Sequence, residues 1–138
     1  MTIGSASAKT TTNNSCQFLL NENLCAKVWF KNGISRKIDS TFEINFLDTN
    51  GKEVVLVKAP DIKLWMVMKS GHGHGSEKLK IKKENNSYLV ENAWFLMVGE
   101  WQIKLELEYN GLKVQKEIPV CVGRKPEDSK VGTCAKHL

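Results

Sequence analysis

The feature that most constrains the fold is a strict alternation of apolar and polar residues on either side of an Asn-Gly pair. In residues 100–122, EWQIKLELEYNGLKVQKEIPVCV, every second residue from Trp101 to Leu107 is apolar, and polar residues lie between them. Successive strand side chains point to opposite faces, so this pattern predicts one buried and one solvated face. The pair Asn110-Gly111 suits a type I′ turn, which needs positive φ at both central residues. The segment therefore predicts a β-hairpin.

Further short segments share this character and are separated by turn residues. A second Asn-Gly pair, Asn50-Gly51, separates STFEINFLD from EVVLVK, and we expect a hairpin there too. Many short strands in 138 residues predict an all-β fold, a single antiparallel immunoglobulin-like β-sandwich of about seven to nine strands. The other candidate strands are CQFLL, LCAKVWF, DIKLWMVM, KLKIKK and SYLVENAWFLM, the last with an expected break near Glu91-Asn92.

Composition divides the chain into three parts. Residues 1–15 are rich in Ser, Thr, Asn and Ala, bury too little apolar surface to offset their ordering entropy, and are expected to form a flexible leader. Residues 16–122 carry the strand patterns and are expected to form the β-sandwich domain. Residues 123–138 are polar, and we expect an irregular C-terminal tail that is held only if Cys134 forms a disulfide.

The four cysteines favour disulfides over a zinc or redox site. Cys16, Cys25, Cys121 and Cys134 include no pair with the two-residue gap typical of zinc ribbons and thioredoxin-like motifs. Four cysteines allow three pairings. The pairing between cysteines that are close in sequence, Cys16 with Cys25 and Cys121 with Cys134, would fix both ends of the domain. Disulfides persist mainly in oxidising compartments, so we expect a periplasmic or extracellular protein whose natural signal peptide is replaced by Met1. The alternative is four reduced thiols, with Cys25 and Cys121 packed as small hydrophobes.

The net charge of +5 does not indicate a nucleic-acid partner. The lysines are spread along the chain, and the densest run, EKLKIKKEN at residues 77–85, alternates with Leu79 and Ile81 as the solvent face of a strand does. No arginine-rich cluster or RNA-binding motif accompanies the charge. No window approaches the roughly 18 consecutive apolar residues of a membrane-spanning helix, so no membrane span is expected in this chain.

The segment WMVMKSGHGHGSEK, residues 65–78, contains the side chains with the most distinctive chemistry. Met66 and Met68 would share one face of a strand, and the glycines around His72 and His74 would let the backbone bring both histidines to the same side. Met97, expected on one side with its neighbour at position 95, is a further candidate ligand. Thioethers select Cu(I), and imidazole binds both copper oxidation states. This set predicts a copper site, although methionines in a strand also serve as core packing.

Two motifs resemble the YtkA-like family of small extracytoplasmic bacterial domains. They are LWMVMKSGHGHGSEKLKI and, about ten residues later, YLVENAWFLMVGEWQIKLELEYNG, and the resemblance covers about residues 24–122. It implies an immunoglobulin-like sandwich, an extracytoplasmic location and association with copper-handling or oxidase-assembly proteins, without an established activity. Lys69 and Ser70 separate Met68 from the Gly-His-Gly run, unlike the family pattern, and His74 repeats that motif. The positions that match the two family motifs are Trp65, Met66, His72, Met97, Gly99 and Trp101.

No arrangement typical of an enzyme is found in the sequence. Ser70 and Ser76 lie near histidines but not in a strand-turn-helix elbow, and GHGHG lacks the features of a phosphate-binding loop. We therefore expect a non-enzymatic binding domain that carries or delivers Cu(I). The alternative is a protein-interaction or accessory module of an envelope assembly that binds no metal, for which the tryptophans at 29, 65, 94 and 101 supply contact surface.

Overall fold

The structure, a computed structural model, describes residues 16–67, 73–75 and 78–134, with only the backbone of 73–75. These residues form two antiparallel five-stranded sheets around one hydrophobic core. The strands are β1 (Phe18–Asn21), β2 (Leu24–Asn32), β3 (Ser40–Leu47), β4 (Asp61–Val67), β5 (Gly73–Gly75), β6 (Lys80–Glu84), β7 (Ser87–Ala93), β8 (Gly99–Tyr109), β9 (Leu112–Val122) and β10 (Lys130–Val131).

The sheet topology confirms the predicted all-β sandwich. One sheet has the order β1-β2-β3-β7-β6 and the other the order β10-β9-β8-β4-β5. The ten strands exceed the expected seven to nine because β5 and β10 have only three and two residues. Strands this short carry no alternation in the sequence, so the pattern could not reveal them.

The hairpin of β8 and β9 forms as predicted. Its register runs without a shift from Gly99 opposite Val122 to Tyr109 opposite Leu112. Asn110 and Gly111 have φ of 54° and 78°, the positive values that a type I′ turn requires. On β8, the apolar residues of the alternating pattern are buried, so one face of the longest hairpin lies in the core.

The hairpin expected at Asn50-Gly51 forms only in part, because the chain reverses there without a type I′ turn and without a second full strand. Gly51 has a positive φ but Asn50 does not, and the carboxylate of Asp48 instead accepts the backbone N–H groups of Asn50 at 2.8 Å and Lys52 at 2.9 Å. Such local side-chain bonds compete with regular pairing. Beyond the turn, EVVLVK pairs with the end of β3 only briefly, through an antiparallel bridge from Glu53 to Leu47 and a 2.8 Å hydrogen bond from the backbone N–H of Val54 to the carbonyl of Phe46. It is therefore an irregular segment rather than a strand.

The break expected near Glu91-Asn92 is a β-bulge. Ser40 pairs with Ala93, but Phe42 pairs with Val90, so two residues of β7 oppose one residue of β3. Asn92 takes a positive φ of 67°, which asparagine tolerates better than most residues. Since β7 ends at Ala93, the residues after it leave the sheet and cross to the start of β8.

Four aromatic rings connect the two sheets through the core. Phe30 lies 5.0 Å from Phe42 and 5.9 Å from Phe95, measured between ring centroids. Phe95, in the connection between β7 and β8, makes an edge contact with Trp101 of β8 at 5.3 Å. Such pairs stabilise beyond the burial of their area. The chain of rings fixes the connection between β7 and β8 to the core.

The cysteines form two disulfides, Cys16–Cys25 and Cys121–Cys134. The pairing is the sequence-local one, so the alternative of reduced thiols is not found. The second disulfide tethers the tail, in which a short 3-10 helix at Pro126–Asp128 precedes β10 on β9. The division into leader, sandwich and tail stays a prediction, since residues 1–15 and 135–138 lie outside the described part.

The lysine-rich segment lies at a sheet edge. β6 is the last strand of its sheet, and all five of its residues are exposed. Charged side chains on an edge strand oppose pairing with another chain, which agrees with the expected solvent face. Across residues 16–67, 73–75 and 78–134 there is no helix long and apolar enough to span a membrane.

Candidate metal site

Met66 lies near the end of β4, between two partners in its sheet. Its backbone register partners are Trp101 on β8 and His74 on β5. The Met66 side chain is 6% exposed and belongs to the core, whereas its neighbours Trp65 and Val67 are less buried. The expected alternation along β4 is therefore confirmed. It brings the thioether of Met66 to the inner face of the sandwich.

The methyl end of Met66 packs against the first residue of β8. A Cβ atom added to Gly99 would lie 3.3 Å from the Met66 Cε, and Gly99 has a φ of 141°, which side-chain-bearing residues rarely adopt. Glycine at this position therefore permits both the backbone conformation and the close approach of the thioether. Met66 and Gly99, which each match one of the two family motifs, therefore lie next to each other in the structure.

Met97 lies in the connection before Gly99 and has a different environment from Phe95. The Met97 side chain is 40% exposed, whereas Phe95 is fully buried. The expectation that these two residues share one side is wrong, because β7 ends at Ala93 and the period-two alternation does not extend to Met97. The backbone of Met97 is nevertheless fixed, because its carbonyl accepts a 2.9 Å hydrogen bond from the indole Nε1 of Trp101.

The register of the strands brings the end of β4, the start of β8 and the end of β9 together at one end of the sandwich, here named the Gly99 end. β4 ends and β8 begins there, and Gly99 also pairs with Val122 at the end of β9. The predicted ligands Met68 and His72 lie outside the described residues. For His74 the structure describes the backbone position opposite Met66.

The side chains available at the Gly99 end restrict the chemistry of a bound metal. All four cysteines are in disulfides, so no thiolate is available as a ligand. Within the described part of the chain, no group of three or more His, Cys, Asp and Glu side chains is placed to hold a metal. The thioethers and imidazoles of the predicted set are ligand types that suit a soft or borderline ion.

Two features of this end were missed in the sequence. Leu96, beside Met97, is 60% exposed, and no role was assigned to it from the sequence. A basic pocket lies between the β2–β3 loop and the segment after β9, and it includes Arg36 and Arg124. The sequence contained a signal for this pocket, because Arg36 and Arg124 are the only arginines in the chain and each of them precedes a lysine.

The molecule is thus a small disulfide-bonded β-sandwich in which Met66, Gly99 and Trp101 lie close together at the Gly99 end. The sequence profile of the protein family described as YtkA-like matches residues 31–106. This match covers more than half of the chain, and the protein belongs to the YtkA-like family. The comparison with curated proteins and the comparison with solved structures gave no significant match.

Proposed function

We propose that this protein is a non-enzymatic, extracytoplasmic binding domain that carries or delivers Cu(I). The ligands would come from the set predicted at the Gly99 end, which comprises Met66, Met68, His72, His74 and Met97. The single observation that carries the proposal is the close approach of the Met66 methyl group to Gly99, which lies two residues after Met97. The backbone position of His74 opposite Met66 adds an imidazole-bearing residue to the same region.

The surroundings of the two described methionines suit a carrier. Met66 is shielded from water, which protects a reduced soft ion, whereas Met97 is partly exposed and accessible to an incoming ion or an acceptor protein. Uncharged thioethers also avoid the cost of burying an anionic ligand in the core. Because the cysteines are oxidised, thioether and imidazole would hold the ion, and such ligands allow exchange more readily than a thiolate cage.

The two disulfides and the family support a location outside the cytoplasm. Disulfides are rare in reducing compartments and persist in the periplasm and in secreted proteins. Both disulfides of this chain join a buried cysteine, Cys25 or Cys121, to a residue near one terminus of the domain. We therefore propose a periplasmic or extracellular location.

An envelope-protein interaction without metal is the second candidate. Leu96, next to Met97 in the sequence, and Val67, at the end of β4, are exposed, and Trp94 is partly exposed. Exposed apolar and aromatic side chains of this kind are typical of contact surfaces.

If the protein binds an envelope partner and no metal is involved, Leu96→Gln would weaken binding to that partner and leave Cu(I) affinity unchanged, whereas Met97→Leu would leave partner binding unchanged.

Replacing the thioethers should separate ligation from packing. Met66→Leu combined with Met68→Leu is expected to weaken Cu(I) binding well over tenfold, because leucine keeps the volume and removes the sulfur. The affinities are measured anaerobically against a Cu(I) chelator of known strength. Leu64→Val, a core substitution on the same face of β4, is the matched control and should change the affinity less than twofold.

A parallel set tests the histidines. His72→Gln together with His74→Gln should lower the affinity, whereas His137→Gln, in the C-terminal tail, should not. Unchanged affinity in the double methionine variant would contradict thioether ligation. A loss of equal size in Leu64→Val would assign the effect to the core rather than to a ligand.

A further inference from the structure

A small pocket opens between two loops that lie far apart in the sequence. It has a volume of about 110 Å³ and is formed by the β2–β3 loop and the segment after β9. Its lining residues are Ile34, Ser35, Arg36, Lys37, Gly123, Arg124, Pro126 and Ser129. None of these residues belongs to the proposed copper-ligand set, so the pocket is a separate feature of the molecule.

The charge of the pocket is wholly positive. Arg36, Lys37 and Arg124 line it, and no carboxylate does. The only two arginines of the chain therefore line the same pocket, although 87 residues lie between them in the sequence. Arginine presents a planar fork of donors that matches phosphate and carboxylate oxygens better than lysine does.

None of the three cations forms an ion pair in the described part of the chain. Within the described residues, the lysines that form ion pairs are Lys31, Lys63, Lys82 and Lys113, none of which lines the pocket. Glu127 and Asp128 lie on the adjacent 3-10 helix, and Asp128 packs against Gly123, but neither carboxylate lines the pocket. Three cations in the lining against these two flanking carboxylates leave a net positive charge, which attracts an anion.

Two serine hydroxyls complete a donor set in the pocket. The Ser35 Oγ accepts the backbone N–H of Lys37 at 3.1 Å, and the Ser129 Oγ accepts that of Gly123 at 2.9 Å. A hydroxyl that accepts an N–H keeps its own hydrogen as a donor. Each loop therefore contributes one positioned hydroxyl and one arginine to the same small space.

We propose that this pocket binds one phosphate-class oxyanion. The volume of about 110 Å³ holds several water molecules and hence one tetrahedral oxyanion, but not a nucleotide. The same group occurs as free phosphate and as the headgroup phosphate of an anionic lipid. Ile38, next to Lys37 in the same loop, is 46% exposed, and an apolar residue beside a phosphate site suits contact with a lipid surface.

Binding of inorganic phosphate tests the pocket directly. In a titration followed by backbone amide NMR at constant ionic strength, shifts are expected at Ser35, Lys37, Gly123 and Arg124, and chloride at the same ionic strength should not reproduce them. Arg124→Gln is expected to weaken phosphate binding at least fivefold. Lys116→Gln, an exposed lysine on β9 that does not line the pocket, is the matched control and should change binding less than twofold.

Vesicles distinguish the two sources of the phosphate. Stronger binding to phosphatidylglycerol than to phosphatidylcholine vesicles, lost in Arg124→Gln but kept in Lys116→Gln, would assign the site to a lipid headgroup. Phosphate binding without vesicle binding would assign it to a soluble oxyanion. Equal losses in the two variants, shifts spread over all exposed lysines, or binding only to an acidic polypeptide would overturn the proposal. Met66→Leu should leave these results unchanged, so the test is independent of copper.

Discussion

Replacement of Trp101 by alanine is expected to lower the free energy of unfolding by about 3 to 5 kcal/mol. The Trp101 side chain is 2% exposed, meets Phe95 edge to face, and donates its indole N–H to the Met97 carbonyl. Alanine would leave a large cavity between the sheets and an unpaired carbonyl in the connection before β8. Urea denaturation followed by far-ultraviolet circular dichroism measures the change.

Trp29→Ala is the matched control, because Trp29 lies in the opposite sheet with 37% of its surface exposed. Its loss should cost less than about 1 kcal/mol, as is usual for surface substitutions. Trp101→Phe keeps a ring in the core and isolates the hydrogen bond, for which we expect a loss of about 1 kcal/mol. Equal destabilisation by Trp29→Ala and Trp101→Ala would contradict the position of Trp101 in the core.

Removal of both disulfides is expected to have the second large effect. The bonds close loops with sequence separations of 9 and 13, for which the loop-entropy model gives about 3 kcal/mol each. The sum is comparable to the whole stability of a typical domain, which is about 5 to 15 kcal/mol. The variant with all four cysteines replaced by alanine should therefore be largely unfolded at 37 °C.

The two double variants separate the bonds. Cys16→Ala with Cys25→Ala and Cys121→Ala with Cys134→Ala should each lower the free energy of unfolding by a similar amount, since the loops differ little in length. In native protein, intact mass after alkylation should show no modified thiol, and reduction before alkylation should add four labels. Four reactive thiols in native protein would contradict both the pairing and the proposed location.

Strong periodicity and turn chemistry made much of the fold predictable. The β8–β9 hairpin follows from alternation around Asn110-Gly111, two residues whose positive φ is intrinsic to the turn. The same reasoning held only in part at Asn50-Gly51, because Asp48 supplies competing side-chain bonds and β3 is already paired with β2 on one edge and β7 on the other. Tertiary context thus decided between two similar sequence signals.

The candidate site was predictable only where it lay within a regular strand. The inward direction of Met66 follows from the alternation of β4, but the exposure of Met97 does not, because it depends on the β-bulge at Asn92 and the end of β7. The pocket at Arg36 and Arg124 depends on two loops that only the sandwich topology brings together. Periodicity contains no information about such long-range contacts.

An anaerobic Cu(I) competition titration of the disulfide-bonded protein tests the proposed function most directly. Since all four cysteines are oxidised, thiols cannot contribute binding sites. The account predicts one stoichiometric site that withstands a strong Cu(I) chelator and is weakened more than tenfold in the variant that combines Met66→Leu and Met68→Leu. Absence of Cu(I) binding, or a site unaffected by the loss of both thioethers, would contradict it.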